Sequence, residues 1–451
     1  GSACFHYLRS AGGSGNHGYG KKKCDTRNLS FIGSNVHSVN CKGVKLVMDN
    51  LTKKYAKLGV ESAPGQENLQ VVTDLPLRGD KIWGEKVDFS HGDIDAHEPT
   101  PGSLELFTAG YDEGTAQAYT EYRGKKDIRE YLAGKLAAFT GAPINYETEI
   151  LLTPGTQGAL FLAMGALVER GTKVGIVEPD YFANRKLVEF FEGEIVPVNL
   201  NYMNGNSETA GLNLAELEKS FADGVKVFLF SNPNNPTGVI YSEKEIKTIA
   251  QLAKSYGVTL IVDELYSRQI FDNHPYVHLR ALKEAPESII TILGPSKTES
   301  LSGYRLGTAF GSKYIIDRME KLQAIVSLRC SGYNQAVFRS WFNEPDGFML
   351  KRIQLHQQIR DEILSLCCSV PGVSVRKTEG GSYLFISLPE MDIDINQFCK
   401  CVRLLTNVII TPGTEFGPQF THHFRINFSQ DKEKALAALK RVFALLERYR
   451  K

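Results

Sequence analysis

Short apolar runs alternate with amphipathic segments through the middle of the chain. Apolar runs of four to seven residues are typical of buried strands in a parallel sheet, and the segments between them carry apolar residues at helical spacing. The pattern predicts strands at 150–153, 174–178, 195–200, 225–231, 259–263, 289–293 and 306–310, with helices at 126–140, 157–170, 214–221 and 243–256. This alternation predicts an α/β fold in which a mostly parallel seven-stranded sheet is wound with helices.

The pattern changes on both sides of this region. Residues 1–42 have little apolar periodicity and predict a flexible extension. Residues 43–104 begin with helical spacing from Val44 to Leu58, ended by Gly59, and predict an N-terminal helix and arm that belong partly to a small domain. We expect a large domain over 105–340 and a smaller α+β domain over 341–451, with helices at 314–328, 345–368 and 431–449 and strands at 374–376, 382–388, 408–411 and 423–428.

Composition narrows the classes of function. A formal net charge of +1 over 451 residues gives no general attraction to nucleic acid or to an anionic membrane. No apolar run approaches the roughly 18 residues that a membrane-spanning helix needs. The eight cysteines lack two spaced C-x-x-C pairs, which favours free thiols in a reducing compartment over zinc. We expect that compartment to be the cytoplasm, while an organelle stays open.

Polar motifs follow several predicted strands, where open α/β sheets bind ligands. T-P-G-T-Q-G is either a phosphate-binding helix start or a plain helix cap. S-N-P-N-N-P-T-G predicts a rigid turn that presents Asn235, and D-E-L-Y-S places Asp263 either beside a cationic ring nitrogen or at a helix N-cap. In S-K-T-E-S-L-S-G-Y-R-L-G, Lys297 can attack a carbonyl and Arg305 can hold a phosphate, although a surface loop often contains both residue types.

A polar loop at V-D-F-S-H-G-D-I-D-A-H-E-P-T-P-G carries Asp93, Asp95, His97 and Glu98. A solvated turn is the simpler interpretation, because turns favour Asp, Gly and Pro. A metal site is compatible with these side chains, but no second cluster of ligands supports it, so we predict no metal.

Taken in order, T-P-G-T-Q-G, E-P-D-Y-F, S-N-P-N-N-P-T-G, V-D-E-L-Y, S-K-T-E-S-L-S-G-Y-R-L-G and F-R-I-N-F-S resemble the class I/II aminotransferase family of pyridoxal-phosphate enzymes. The resemblance runs from about Asp88 to the C terminus. It implies the aspartate aminotransferase fold, which is fold type I, with the cofactor in the large domain. It also implies amino-group transfer between an L-amino acid and a 2-oxo acid by a homodimer with shared active sites.

The resemblance also implies a role for individual residues. Lys297 would form a Schiff base with pyridoxal phosphate and move a proton at the substrate Cα, Asp263 would keep the pyridinium nitrogen protonated, and Tyr181 would stack on the ring unless it is merely a buried tyrosine at a helix start. The implied catalytic residues are Lys297, Asp263 and Tyr181; the implied cofactor-binding residues are Gly155, Thr156, Gln157, Tyr181, Asn235, Asp263, Tyr266, Ser296, Lys297 and Arg305, with Tyr122 from the neighbouring subunit; and the implied substrate-binding residues are Arg425, Asn235 and Gly92.

Two residues depart from the family pattern. Gly294 stands where Ser or Thr is common, and Ser296 can compensate; Glu299 stands where an aromatic residue is usual. If Glu299, Asp93 and Asp95 faced the pocket, they would favour a cationic substrate. The alternative function is then a lyase or synthase acting on S-adenosylmethionine, as in 1-aminocyclopropane-1-carboxylate synthases, or an oxidase of a cationic amino acid. We expect these carboxylates to be solvent-exposed instead. A non-catalytic relative is disfavoured because the lysine, aspartate, tyrosine and arginine are all retained.

Overall fold

The structure, a computed structural model, describes residues 42–59, 75–91, 96–114, 119–204 and 208–451, with the side chains of the first helix described from Asn50 onward. The chain divides into two units at Leu51 and Thr52, and the account below concerns the second. The predicted flexible extension lies outside the described residues except for its last residue, as do Gly92, Asp93 and Asp95. No helix within the described ranges is both long and apolar enough to cross a bilayer.

Helices and strands alternate as the hydrophobic pattern predicts. The helices are α1 (Lys42–Leu58), α2 (Ser103–Gly114), α3 (Lys126–Thr140), α4 (Gly155–Leu167), α5 (Phe182–Phe190), α6 (Leu214–Ala222), α7 (Glu243–Tyr256), α8 (Lys313–Val326), α9 (Phe348–Cys368), α10 (Ile395–Thr406) and α11 (Lys432–Leu446). The strands are β1 (Val87–Asp88), β2 (Ile150–Pro154), β3 (Lys173–Glu178), β4 (Glu194–Asn199), β5 (Val227–Ser231), β6 (Thr259–Asp263), β7 (Ile289–Leu293), β8 (Leu306–Gly311), β9 (Ser374–Val375), β10 (Tyr383–Ser387), β11 (Val408–Ile409), β12 (Thr411–Pro412) and β13 (His423–Asn427).

The predicted seven-stranded sheet is confirmed. Its order is β2-β8-β7-β6-β5-β3-β4. Strand β8 runs antiparallel to its two neighbours, and the other pairs in the sheet are parallel. Parallel strands need crossover connections. Helices α5, α6 and α7 lie in the connections from β3 to β4, β4 to β5 and β5 to β6, whereas the one from β6 to β7 contains a short 3₁₀ helix, Leu279–Ala281.

Helices cover both faces of this sheet. In β5, Val227 and Leu229 belong to the hydrophobic cluster that contains residues of α4 and α8, whereas Phe228 and Phe230 belong to the cluster that contains residues of α6 and α7. Alternate residues of a strand point to opposite faces, so both faces of β5 are buried. We expect truncation of either phenylalanine to alanine to cost about 3–5 kcal/mol.

Helix α7 shows how local signals set the bounds of an element. Ser242 accepts a hydrogen bond from the backbone N–H of Glu245, and the Glu245 side chain accepts from the backbone N–H of Ser242. This capping box satisfies two N–H groups at the start of the helix. Gly257 ends the helix with φ +66°, a left-handed conformation that favours glycine.

Four further strands form an antiparallel sheet in the order β12-β13-β10-β9, and β1 pairs in parallel with β11. The predicted strand at 408–411 is therefore two short strands that join different sheets. Val87 and Phe89 pack in a hydrophobic cluster with residues of α9, α10, α11, β10 and β13. The segment around β1 thus contributes to the core of the C-terminal part, as expected for an arm of a small domain.

Helices α2 and α10 were not predicted from the sequence, and of α5 only a start at Tyr181 was considered. In α2 only Ser103 and Gly110 are buried, so the helix has no broad apolar face to reveal it. Helix α10 does carry an apolar face, with Phe398, Val402 and Leu405 buried.

Candidate active site

The carboxyl ends of β5, β6 and β7 lie side by side. Ser231 pairs in register with Asp263, and Asp263 with Ile292. A cavity of about 390 Å³ opens beside these ends. Ten of the residues predicted from the sequence line it: Thr156, Gln157, Tyr181, Asn235, Asp263, Tyr266, Ser296, Lys297, Arg305 and Arg425.

The remaining predicted residues lie elsewhere or outside the described ranges. Gly155 packs against Arg305 at the edge of the cavity. Tyr122 does not line the cavity of its own chain; it is 43% exposed, and its ring lies 5.0 Å from the guanidinium of Arg329. Gly92 is among the residues that the structure does not describe.

One end of the cavity fits a phosphate group. Helix α4 begins at Gly155, so Thr156 and Gln157 lie in its first turn, where free backbone N–H groups and the helix dipole attract an anion. Gly155 has φ +73°, and a Cβ built there would lie 2.5 Å from Nη2 of Arg305. Glycine is therefore needed for the guanidinium to approach the helix start.

The glycine at position 294 has a steric explanation. A Cβ built on Gly294 would lie 2.8 Å from Cγ2 of Thr156 and 3.0 Å from the carbonyl oxygen of Leu306. The threonine side chain thus occupies the space that a serine or threonine at 294 would need. Ser296 is buried and lines the cavity, and its Oγ lies 3.5 Å from the Leu306 oxygen. Thr156 and Ser296 therefore supply hydroxyl groups to this end of the cavity in place of residue 294.

Asp263 lies at another part of the cavity wall and fits a cationic ring nitrogen. Its Oδ1 accepts a hydrogen bond from the backbone N–H of Leu265 at 3.0 Å. Burial raises the pKa of Asp263 from 3.8 to about 6, which the hydrogen bond from Leu265 only partly offsets. A bound cation would remove that destabilisation of the charged carboxylate.

A second buried aspartate, Asp180, supports Asn235. Asp180 Oδ1 accepts a hydrogen bond from Ser231 Oγ at 2.5 Å, and the backbone N–H of Asn235 donates to the same Oγ at 3.1 Å. Burial raises the pKa of Asp180 to about 7, against the lowering effect of its bonds to Ser231 and Tyr181. Asp180 was quoted within E-P-D-Y-F but given no role, since its link to Asn235 runs through tertiary structure.

Tyr383 is a cavity residue that sequence reasoning missed. Its hydroxyl lies 2.8 Å from the hydroxyl of Tyr266, and its ring lies 4.4 Å from the guanidinium of Arg425. Burial raises the pKa of Tyr383, but the charges of Arg425 and Lys297 and the bond to Tyr266 outweigh burial and leave the pKa below its ordinary value. Tyr383 lies at the start of the apolar strand β10, so no polar motif marked it.

Arg425 is suited to bind a carboxylate. It is 2% exposed, and it donates from Nη1 to Asn235 Oδ1 at 3.0 Å and from Nη2 to the Ser90 carbonyl at 2.7 Å. Its buried Nε has no hydrogen-bond partner among the described residues. A guanidinium that lines the cavity favours an anionic ligand there.

Tyr181 lies at a helix start and also lines the cavity, while its stacking on a ring stays a prediction. It occupies the N-cap position of α5, and its hydroxyl donates to Gln157 Oε1 at 2.9 Å. It is half-buried and lines the cavity. Its ring is therefore fixed against the first turn of α4, where it can contact a planar ligand.

The expectation that Glu299 is solvent-exposed is wrong. Its side chain is fully buried, forms an ion pair with Arg268 and accepts a hydrogen bond from Thr298 Oγ1. It is not among the residues that line the cavity. Burial raises the pKa of Glu299 despite the opposing charge of Arg268. Because Glu299 is turned toward Arg268, it no longer supports a cationic substrate.

Comparisons with known proteins agree with this geometry. Residues 85–442 match the family model of the class I and II aminotransferases. The crystal structure of an aspartate aminotransferase from Rhodobacter sphaeroides is similar to this chain with a TM-score of 0.83 and 55% identity, covering 89% of this chain and all of that one. An aspartate aminotransferase from Pyrococcus horikoshii is 27% identical over 77% of this chain and 88% of that protein. An aromatic aminotransferase from the same organism, at 24% identity and a TM-score of 0.73, shares the fold.

The chain therefore belongs to the class I and II aminotransferases. It is a pyridoxal-phosphate-dependent aminotransferase, as the resemblance implied, and it acts on amino acids and 2-oxo acids. The comparisons do not favour the alternative lyase, synthase or oxidase.

Proposed function

We propose that the cavity at the ends of β5, β6 and β7 is the site of amino-group transfer, with Lys297 as its central catalytic residue. The observation that carries this proposal is the convergence of Lys297 and Arg305, from one segment, with Asp263 and Arg425, from two others, on one cavity. Each of the four would have a different chemical task there. A surface loop that happened to contain a lysine and an arginine would not bring the other two groups to it.

The donor set fits pyridoxal phosphate. The first turn of α4 and Arg305 would hold the phosphate, while Asp263 would hold the ring nitrogen and Tyr266 and Asn235 the ring oxygen. Tyr181 would cover one ring face. When bound, the cofactor supplies an electron-accepting ring at the substrate Cα.

Lys297 would hold the cofactor through its side-chain amine and would take and return the proton at the substrate Cα. Its position four residues beyond β7, on the cavity that Asp263 at the end of β6 also lines, supports this role. Tyr383 and Tyr266 form a hydrogen-bonded pair on the cavity wall and exclude water from part of it. These residues hold the reacting atoms together, and such positioning accounts for a large part of catalysis.

Arg425, which lines the cavity, would bind the α-carboxylate of the amino acid through its planar guanidinium fork. We further propose aspartate as an amino donor. The support is that the relatives named above from R. sphaeroides and P. horikoshii are described as aspartate aminotransferases.

We also propose a homodimer with shared active sites. Tyr122 and Tyr119 are exposed, and the guanidinium of Arg329 lies against both rings. A large exposed aromatic pair held by a cation fits a protein interface better than bulk water. For the same reason we keep Tyr122 as a contact to the cofactor phosphate of the neighbouring subunit.

The domain boundaries and the compartment also remain our proposals. The cluster containing Val87 and Phe89 is built otherwise from Phe271 and residues 359–449, which supports a small C-terminal domain over 341–451 joined by an arm within 43–104, with the cofactor in 105–340. Cys367 and Cys368, neighbours in sequence, are free thiols. That arrangement supports a reducing compartment such as the cytoplasm.

The proposal is tested by single-turnover reactions of the cofactor-loaded protein with individual amino acids. We expect aspartate to convert the bound cofactor to its amine form with one equivalent of 2-oxo acid, and to turn over only when a second 2-oxo acid is supplied. Continuous turnover of an amino acid without an acceptor would contradict transamination. Conversion by other amino acids but not by aspartate would contradict only the proposed donor.

A further inference from the structure

A buried cluster of charges lies directly beside Lys297, outside the cavity. Glu299, two residues after the lysine, is fully buried and pairs with Arg268, whose side chain is 11% exposed. The same guanidinium binds Glu344 through two hydrogen bonds of 2.6 and 3.1 Å. Its face lies 4.1 Å from the ring of Phe342. One arginine is thus shared by two carboxylates, and only one of them belongs to the lysine segment.

Arg268 belongs to the segment that carries the other groups of the site. Asp263 ends β6, Tyr266 follows, and Arg268 comes two residues later. The ion pair with Glu299 therefore connects the segment after β6 to the segment after β7. These segments supply the cavity groups Asp263, Tyr266 and Lys297. The pair thus joins the two segments whose residues would act on the ring nitrogen, the ring oxygen and the aldehyde carbon of the cofactor.

Two further contacts hold the same turn. Arg352 of α9 donates to Ser300 Oγ at 2.7 Å and to the carbonyl of Glu98 at 2.6 Å. The backbone N–H of Thr100 donates to the Glu299 carbonyl at 3.0 Å. Ser300 has φ +57°, a conformation that costs a non-glycine residue free energy and persists only where its surroundings enforce it. The turn after Lys297 is therefore held in an unfavourable backbone conformation by buried polar groups.

Stability alone does not explain a buried ion pair at this place. Desolvation of two charges offsets much of their attraction, and apolar side chains of similar volume often stabilise a fold as well or better. Here the family pattern has an aromatic residue at position 299, yet the chain places a carboxylate there and supplies Arg268 for it. What the charge pair adds over an aromatic side chain is a directional link.

We propose that Glu299 is a positioning residue for Lys297: its buried pair with Arg268 locks the lysine segment to the segment of Asp263 and Tyr266, so that the Lys297 amine is held against the reacting carbon. This inference rests on the proposed role of Lys297 and concerns how the amine is placed. It predicts that loss of the Glu299 charge slows each step in which the amine attacks or moves a proton. Substrate binding, which depends on Arg425, should not change.

The test uses the full chain with Glu299→Gln, which keeps the size of the side chain. The first readout is the rate at which cofactor-free protein captures pyridoxal phosphate covalently, followed by absorbance. The second is the visible circular dichroism of the bound cofactor, which reports how the ring is oriented. The third is the division of the effect between kcat and KM. We expect capture and kcat to fall about 10- to 100-fold, as for a displacement on the order of 1 Å, with KM changed less than about twofold.

Two control variants separate positioning from stability. Glu344→Gln removes the other carboxylate on the same arginine, whose side chain is 7% exposed, and should change capture less than about threefold. Glu245→Gln removes a buried carboxylate that caps α7 and should lower the melting midpoint without changing capture. If Glu299→Gln is not recovered folded, Glu299→Asp, which keeps the charge on a shorter stem, should slow capture at least about threefold.

The inference is overturned if the Glu299 variant captures cofactor at the wild-type rate, or if Glu344→Gln slows capture as much. A higher KM with unchanged kcat would also overturn it, because that result assigns Glu299 to substrate binding. Failure of wild-type protein itself to capture the cofactor would instead refute the role of Lys297, so the two proposals fail in different ways.

Discussion

Replacing Arg425 with lysine tests the proposed binding of the substrate carboxylate. Lysine keeps the positive charge but loses the planar fork and the free Nε, and it cannot maintain both hydrogen bonds, to Asn235 Oδ1 and to the Ser90 carbonyl. A hydrogen bond to a charged group contributes about 1.5–3 kcal/mol. Loss of one such bond to the substrate predicts a rise in the dissociation constant for an amino acid of about 10- to 150-fold.

The assay measures the single-turnover rate against substrate concentration for an amino acid and for the amine that lacks its α-carboxylate. We expect the Arg425 variant to lose affinity for the amino acid only, with the amine changed less than about threefold. Arg376→Lys is a matched control, because Arg376 is also largely buried and donates to backbone carbonyls, those of Tyr202 and Ala210, outside the cavity. Equal losses for both substrates would refute carboxylate binding by Arg425.

Three further predictions concern the cavity wall. Gly294→Ser should lower the melting midpoint and speed cofactor release, because the new Cβ clashes with Thr156 and overpacking costs about 1–3 kcal/mol. Adding Thr156→Ser to this variant should restore part of the lost stability, and no restoration would contradict the steric account. The unfolding free energy of the cofactor-free protein should fall as the pH rises from about 4 to about 7. Burial raises the pKa of Asp263 to about 6 and of Asp180 to about 7, so in this pH range the folded state binds more protons than the unfolded chain. Urea titrations should show a smaller fall in Asp263→Asn, and an equal fall would count against this assignment. Tyr383→Phe should lower kcat about 2- to 10-fold with KM nearly unchanged, because one hydrogen bond on the cavity wall is lost, and an unaltered kcat would remove that role.

Elements with strong local signals were predictable from the sequence. The predicted bounds of α7 match the structure because Ser242 and Glu245 mark its start and Gly257 its end. The seven strands of the central sheet were found because both faces are buried and their sequences are continuous apolar runs. Helix α2 carried no comparable signal, since its packing against the turn at 333–340 involves small residues such as Gly110.

The residues of the candidate site also differ in whether the sequence could predict them. Asp263 ends β6, and Lys297 and Asn235 come four residues after β7 and β5, so the order of the strands in the sheet brings the three close together. Tyr383 reaches the cavity from an apolar strand more than a hundred residues after Tyr266, and only the tertiary fold reveals that contact. The sequence showed that Glu299 lies close to the lysine, but its direction depends on Arg268, 31 residues earlier.

The covalent link between Lys297 and the cofactor is the central claim, and it can be measured directly. Protein loaded with pyridoxal phosphate is reduced with borohydride, digested and analysed by mass spectrometry, with Lys297→Ala as the control. The account predicts that the reduced cofactor is found on the peptide containing Lys297 and that the variant carries no covalent cofactor. Labelling of a different lysine, or labelling that persists in the variant, would contradict it.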